Sequence, residues 1–201
     1  MKFRDLHFGA LPLLLPNAWD VPSALALLEC GFTAIGTTSF GVASSRGYPD
    51  GGRSTKHANV ELADALAPLD CYLSVDIEDG YADDPDEVAG YVARLSVHGI
   101  NIEDSTAETM IAPEDHAAKV RAIKHNSPGV FVNARVDTYW LDQDATVEAT
   151  LDRARPIRRG GSRRHLRARR DRSAGAQRAD RENRSARQCA CRSRTLAGSP
   201  G

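Results

Sequence analysis

Short runs of apolar residues alternate with stretches of helical spacing along the first 150 residues of the chain. The short runs are typical of buried strands, and the longer stretches repeat apolar positions every three or four residues, as an amphipathic helix does. The short runs predict strands over residues 13–16, 34–39, 72–77, 99–103 and 130–136. The longer stretches predict helices over residues 22–29, 60–66, 85–98, 113–124 and 145–155.

Each predicted strand is followed by a predicted helix, and this order indicates a parallel sheet that is covered by helices. Such βα units fit either an open doubly wound sheet or part of a (β/α)8 barrel. A dinucleotide-binding sheet would carry a glycine-rich phosphate loop after its first strand. Here the first strand is followed by Asn17, Ala18, Trp19 and Asp20. We therefore predict an α/β fold of the (β/α)8 TIM-barrel type, incomplete at about five βα units.

The composition changes sharply near residue 155. Residues 1–150 hold 10 Lys and Arg against 23 Asp and Glu, whereas residues 151–201 hold 16 Arg against 4 acids. Leu, Ile, Val and Phe account for 4 of those last 51 residues, which is too few to bury a core. We predict a partial TIM-barrel catalytic domain over residues 1–155 and an Arg-rich tail over residues 156–201 that is disordered or frameshifted.

Several classes of protein are excluded by the sequence pattern. No apolar run reaches the roughly 18 residues that a membrane span needs, and the N-terminus lacks the layout of a signal peptide. The cysteines lack a complete zinc pattern, because Cys30 and Cys71 are single and Cys189 and Cys191 have no second pair. The sequence predicts a reduced, cytoplasmic protein with no membrane partner.

Acidic residues follow the predicted strands, and in a barrel all these strand ends meet at the mouth where catalytic groups lie. Asp76 and Glu78, two positions apart, share a strand face, and Glu103 ends the neighbouring strand about 4.8 Å away. Three carboxylates in this arrangement would suit a hard cation such as Mg²⁺. The alternative interpretation is that Asp79 and Asp104 cap the following helices and the other acids are solvated.

Arg135 is the basic residue that lies close to the end of a predicted strand. Its planar guanidinium could bind a substrate carboxylate with two hydrogen bonds, or it could form a structural ion pair with Asp137 or Glu103. A carboxylate-binding arginine beside Mg²⁺ suggests a 2-oxo acid or its enolate as the small-molecule substrate. The glycine-rich stretch between Phe40 and Lys56 predicts either a mobile lid or a plain loop.

Five short motifs resemble those of the isocitrate lyase/phosphoenolpyruvate mutase superfamily over roughly residues 5–155. They are residues 17–24, the Thr-Thr-Ser of 37–39 with the loop to 50–51, the Ser-Val-Asp-Ile-Glu-Asp-Gly-Tyr of 74–81, the Ile-Glu-Asp of 102–104 and the Asn-Ala-Arg of 133–135. The resemblance implies a Mg²⁺-dependent lyase-type enzyme that forms an enolate while a C–C or P–C bond is made or broken. It also implies site roles, which are Asp76, Glu78 and Glu103 near the metal, Thr38 and Ser39 on the oxo acid, Arg135 on a carboxylate, and Asp50 on the lid.

Two departures from the superfamily leave the substrate open. Residues 79–84 lack the cysteine and histidine of the isocitrate and methylisocitrate lyase loop, and residues 105–109 lack the Lys-x-Asn-Ser of the phosphonate enzymes. The superfamily resemblance also implies a homo-oligomer, which relies on C-terminal helices that this sequence does not show. The alternative to an active enzyme is an inactive or binding-only remnant of one.

The tail stops resembling the superfamily at about residue 156, where a sixth strand reading roughly Ala-Asp-Gly-Ile-Phe-Val-Pro-Gly is expected. Residues 165–173 can be encoded by CAT CTT CGT GCC CGG CGT GAC CGA TCC. The next frame of those bases encodes Ile-Phe-Val-Pro-Gly-Val-Thr-Asp-Pro. This predicts a frameshift near residues 156–160. The alternative, a basic arm that binds nucleic acid, is not favoured because the tail has no aromatic residue to stack on bases.

Overall fold

A parallel sheet with a helix after nearly every strand occupies the chain in a computed structural model, which describes residues 2–49, 51–159 and 166–168. The helices are α1 (Phe3–Leu6), α2 (Val21–Glu29), α3 (Ser39–Arg46), α4 (Lys56–Leu66), α5 (Pro85–Arg94), α6 (Pro113–Asn126), α7 (Thr138–Leu141) and α8 (Val147–Arg159). The strands are β1 (Ala34–Gly36), β2 (Tyr72–Asp76), β3 (Gly99–Ile102), β4 (Ser105–Thr106), β5 (Thr109–Met110), β6 (Phe131–Val136) and β7 (Leu166–Ala168).

The strands of the main sheet follow one another in chain order. The order is β1-β2-β3-β6-β7 and every pair is parallel, while β4 and β5 form a separate antiparallel hairpin. The predicted strand over 13–16 contributes a single parallel bridge, from Asn17 to Gly36. A doubly wound sheet would reverse its order at a switch point, and this sheet does not. Strand order and direction are those of a (β/α)8 barrel, so the predicted fold class is confirmed.

The two faces of the sheet carry different side chains, because successive residues of a strand point to opposite sides. On one face, Ile35, Val75 and Ile100 belong to a buried apolar cluster shared with the helices. On the other face, Ala34 and Phe131 form a second cluster around Phe3 of α1, at the amino ends of the strands. The same face carries polar and charged residues towards the carboxyl ends of the strands, where the candidate site lies.

Helix starts follow the signals in the sequence. Asp20 caps α2 by accepting a hydrogen bond from the Ser23 backbone N–H at 2.7 Å, and the Ser23 hydroxyl oxygen accepts one from the Asp20 backbone N–H. Asp84 caps α5 by accepting from the backbone N–H groups of the next turn. Asp20 and Asp84 thus satisfy backbone donors that would otherwise be unpaired at the start of each helix.

Several elements differ from the sequence prediction. The stretch predicted as a lid or a plain loop contains most of helix α3, which is capped after Arg46 by Gly47 in a left-handed conformation (φ 72°). The prediction of a plain loop over that whole stretch was therefore wrong. The helix predicted over 85–98 ends at Arg94, because Leu95 is already extended. Helix α8 continues past residue 155 to Arg159 with a proline inside it, and β7 pairs with β6 within the predicted tail. In the described part of the chain, no helix has the length and apolar character that a bilayer span requires.

Candidate active site

The turn that follows β2 carries most of the predicted acidic motif and is built on unusual backbone conformations. Glu78, Gly80 and Tyr81 have positive φ angles of 50°, 98° and 62°. A Cβ atom on Gly80 would lie 2.6 Å from a side-chain carbon of Val88, so the close approach of α5 also requires glycine there. Left-handed residues of this kind concentrate at functional sites, where the surrounding structure must hold them in place.

Asp76 lies at the end of β2 with its carboxylate buried. Its Oδ1 accepts a hydrogen bond from the Glu78 backbone N–H at 3.1 Å, and its Oδ2 accepts one from the Ser39 backbone N–H at 3.4 Å. Burial raises the pKa of the Asp76 carboxyl group, although the positive charge of Arg135 and the two backbone donors act in the opposite direction. Asp76 is therefore a buried acid that is held by two backbone donors, one at the start of α3 and one in the turn after β2.

Glu103 and Arg135 are neighbours at the ends of β3 and β6, as the parallel register requires. One guanidinium nitrogen of Arg135 donates to Glu103, and Nη2 donates to Asp137 Oδ1 at 3.0 Å. Burial and the negative charge of Asp76 raise the pKa of Glu103 to about 9. The alternative interpretation of Arg135, an ion pair with Asp137 or Glu103, is thus present in the structure with both partners at once.

The donor set at this strand end fits a divalent cation. Within the described residues no three Asp, Glu, His or Cys side chains are arranged to form a metal centre by themselves. Mg²⁺ does not require one, because it is usually bound through one or two carboxylates and keeps several waters. Asp76, Glu103 and Asp137 act on one another as like charges around the single guanidinium of Arg135. A cation at Asp76 and Glu103 would relieve this repulsion.

Glu78, the third predicted ligand, is turned towards a different part of the chain. Its Oε1 accepts from the Thr55 hydroxyl at 2.6 Å, and its Oε2 accepts from the Arg53 backbone N–H at 2.8 Å. Burial raises the pKa of Glu78, and the hydrogen bonds from Thr55 and Arg53 oppose that shift. The proposed metal role of Glu78 stays a prediction, and its observed partners are a hydroxyl and a backbone amide.

The acids that follow each motif do not cap helices, so that alternative was wrong. Asp79 is bound by the guanidinium of Arg53 and by the ammonium of Lys119, with nitrogen to oxygen distances of 2.5 and 3.3 Å. Asp104 accepts from Arg153 Nε at 2.7 Å and from the Asp137 backbone N–H at 2.8 Å. Asp79 and Asp104 therefore each have a buried or half-buried cation of their own.

The remaining predicted residues lie near this cluster or outside the described residues. Thr38 and Ser39 are half-buried at the start of α3, where the Ser39 amide reaches Asp76. Asp50 lies outside the residues that the structure describes. Sequence reasoning missed Arg53 and Lys119, because neither stands at a strand end. The sequence feature that could have indicated them is that each is a basic residue in a domain rich in Asp and Glu.

The fold and the site together define a class of protein before any relative is considered. It is a parallel α/β protein of the (β/α)8-barrel type with an acidic cluster and one arginine at the carboxyl ends of its strands. The sequence model of the family described as phosphoenolpyruvate phosphomutase matches residues 3–165. The chain therefore belongs to the phosphoenolpyruvate phosphomutase family, which confirms the resemblance seen in its motifs.

Two relatives set the scale of this similarity. The chain is 66% identical over 154 residues to an uncharacterized protein of Mycobacterium tuberculosis strain H37Rv. This match covers 77% of this chain and 60% of the relative. It is 30% identical over 148 residues to the 2-methylisocitrate lyase of Bacillus subtilis strain 168, which covers 68% of this chain and 49% of that enzyme. The chain thus spans about half to three-fifths of the length of these relatives.

Solved structures share the fold. The structure of 2,3-dimethylmalate lyase, a member of the PEP mutase/isocitrate lyase superfamily, matches with a TM-score of 0.70 at 22% identity, over 87% of this chain and 63% of that one. Phosphonopyruvate hydrolase in complex with oxalate and Mg²⁺ matches with a TM-score of 0.71 at 20% identity, over 86% of this chain and 65% of that one. The chain belongs to a superfamily of lyases and mutases, and these two structures support the barrel type of its fold.

Proposed function

We propose that the protein is a Mg²⁺-dependent lyase-type enzyme that acts on a small 2-oxo or 2-hydroxy carboxylic acid through its enolate. The observation that carries this proposal is the surplus of carboxylates around the guanidinium of Arg135, which are the buried Asp76 and Asp137 and the half-buried Glu103. A divalent cation balances that surplus and would be held by Asp76 and Glu103. Bound there, Mg²⁺ would polarise the substrate carbonyl and stabilise negative charge on its oxygen.

The side chains around the cation would bind and orient the substrate. Arg135 would bind its carboxylate through charge-assisted hydrogen bonding. Thr38 and Ser39, at the start of α3, would contact the oxo group. Asp50 lies outside the described residues, and its proposed role stays the one on the lid. The complex of phosphonopyruvate hydrolase with oxalate and Mg²⁺ supports this assignment by analogy, because oxalate is planar and doubly charged like the enolate of a 2-oxo acid.

Glu103 connects the two halves of the proposed site. In the structure it accepts a hydrogen bond from Arg135, so a substrate carboxylate would have to displace it from that guanidinium. If Glu103 held the cation instead, the guanidinium nitrogen of Arg135 that now faces Glu103 would be available to the substrate. This exchange of partners predicts that the chain binds the carboxylate substrate after the metal.

A binding experiment tests the proposal. Oxalate is titrated into the full chain by calorimetry with and without Mg²⁺, and the Arg135→Met variant is compared with Arg46→Met, which removes an exposed ion pair between Arg46 and Glu61. We expect binding that requires Mg²⁺, is lost in Arg135→Met and is retained in Arg46→Met. Oxalate binding that is independent of Mg²⁺ would refute the metal site.

The second candidate is an inactive or binding-only remnant of such an enzyme. The observation that favours it is that the chain spans about half to three-fifths of the length of its relatives. A folded chain that binds neither Mg²⁺ nor oxalate would support the inactive form. A chain that binds both, but does not exchange the C3 protons of pyruvate with deuterium in an NMR assay, would support the binding-only form.

The Arg-rich segment is, on this proposal, an out-of-frame reading of the segment that forms the sixth strand in the superfamily. One observation supports it: the similarity to the mycobacterial relative covers 154 of the 201 residues. Sequencing the gene across codons 150–175 tests this idea. An open neighbouring frame that encodes a continuation of the relative is expected, and a neighbouring frame interrupted by stop codons would exclude it.

A further inference from the structure

The segment from Arg53 to Asn59 packs against the acidic turn after β2 and contacts it through hydrogen bonds to Asp76, Glu78 and Asp79. We propose that Arg53 and Thr55 are positioning residues that hold Glu78 and Asp79 and thereby preserve the metal affinity of Asp76. The inference rests on the proposed function, because it concerns the same metal. The inference also distinguishes the three predicted ligands. Asp76 and Glu103 would contact the metal, whereas Glu78 would act on the metal site through other residues.

Both carboxylate oxygens of Glu78 are bound by this segment. The Thr55 hydroxyl donates to Oε1 at 2.6 Å and the Arg53 backbone N–H donates to Oε2 at 2.8 Å. Thr55 is fully buried and Glu78 is nearly so. A buried carboxylate with both oxygens bound in this way loses those hydrogen bonds if it rotates towards Asp76. Glu78 is therefore placed to orient the site through other groups.

Asp79 is held from two sides. Arg53 Nε donates to its two oxygens at 3.0 and 3.1 Å, and Arg53 Nη2 donates at 2.5 Å. From the opposite side, Lys119 Nζ donates to the Asp79 backbone oxygen at 2.9 Å and to its Oδ2 at 3.3 Å. Asp79 and Lys119 are almost completely buried. The fork of Arg53 thus fixes the turn that begins two residues after Asp76.

Hydroxyl and amide groups connect the same segment to the backbone of Asp76. The Thr55 hydroxyl lies 2.9 Å from the Tyr81 hydroxyl, which accepts a hydrogen bond from Asn59. The Asn59 amide also donates to the Asp76 carbonyl oxygen at 2.7 Å. A change at Thr55 therefore reaches Asp76 through groups that are all buried. Groups that orient metal ligands in this way typically change metal affinity by about 10–100-fold when they are removed.

Metal binding by conservative variants tests the proposal. Mn²⁺ serves as the probe, and its free concentration is measured by electron paramagnetic resonance during titration of the full chain. Thr55→Val removes the hydroxyl at constant shape, and Thr55→Ser retains it. Thr150→Val is the matched control, because the buried Thr150 hydroxyl contacts Thr138 at 2.6 Å and touches no residue of the acidic turn. Arg53→Met is compared with Arg46→Met in the same way.

We expect Thr55→Val and Arg53→Met to weaken Mn²⁺ binding by about 10-fold or more, and Thr55→Ser, Thr150→Val and Arg46→Met to bind as the parent does. Circular dichroism checks that each variant is folded, and Arg53→Met carries the test if Thr55→Val does not fold. Parent affinity in both folded variants would overturn this inference and leave the proposed function intact. Equal weakening by Thr55→Val and Thr150→Val would also overturn it. A parent chain that binds no Mn²⁺ would overturn both proposals.

Discussion

His116 is a buried histidine whose protonation should make the fold sensitive to acid. It lies on α6 with 1% of its surface exposed. Burial, together with the positive charges of Lys119 on the same helix and Arg153 on α8, lowers its pKa to about 3, and the charge of Asp79 opposes this shift only in part. The ring is therefore neutral in the folded protein at ordinary pH.

The size of the effect follows from the difference between the two states. In the unfolded chain the imidazole has its ordinary pKa of 6.5 and takes up a proton below that pH, whereas the folded chain does not until about pH 3. The unfolded state thus binds more protons across this window, so stability is complete above pH 6.5 and falls as the pH is lowered. Each pH unit below 6.5 lowers the free energy of unfolding by about 1.4 kcal/mol. Acidification from pH 7.5 to pH 5.5 crosses one such unit, so it costs about 1.4 kcal/mol.

Urea unfolding at these two pH values measures that loss. The variant His116→Leu removes the titrating group, and His125→Leu removes an exposed histidine from the same helix as a control. We expect His116→Leu to lose about 1.4 kcal/mol less than the parent on acidification, and His125→Leu to behave as the parent does. Equal losses in the parent and in His116→Leu would refute the reasoning.

Two further predictions concern the turn after β2, and both are checked by urea unfolding. Gly80→Ala adds a Cβ atom 2.6 Å from a valine carbon at a φ of 98° and should cost about 1–3 kcal/mol, whereas Gly129→Ala meets nothing within 4 Å and should cost little. Lys119→Met removes a buried cation from Asp79 and should cost about 3–5 kcal/mol, whereas the exposed Arg121→Met should change stability little. A Gly80→Ala loss no larger than that of Gly129→Ala, or a neutral Lys119→Met, would contradict these expectations.

Periodicity predicted the sheet and the central part of the site for one physical reason. Parallel strands in register bring their carboxyl ends together, so residues that end different strands become neighbours whatever their distance along the chain. Glu103 and Arg135 are paired across β3 and β6 in this way, although 32 positions separate them. The predicted helix starts at residues 22 and 85 lie within one residue of the observed ones, because capping by Asp20 and Asp84 is a local interaction.

The partners of the acids could not be found from the same pattern. Lys119 stands on α6 among charged residues and has the sequence context of a solvated helix position, yet it is 2% exposed because that face of α6 meets the turn after β2. Arg53 follows a glycine pair in a segment without periodicity, and its own φ is 66°. Helix α3 was missed because glycines and serines favour loops, while the contacts that stabilise it are tertiary.

The acids of the site separate into two groups by the cations that accompany them. Asp79 has Arg53 and Lys119, and Asp104 has Arg153, so each of these charges is compensated within the fold. Asp76 forms no ion pair among the described residues and is held by two backbone N–H groups. A buried carboxylate without its own cation is costly unless a proton or a bound cation neutralises it. The same comparison gives Asp79 and Asp104 structural roles and makes Asp76 the acid at which we propose that a metal ion binds.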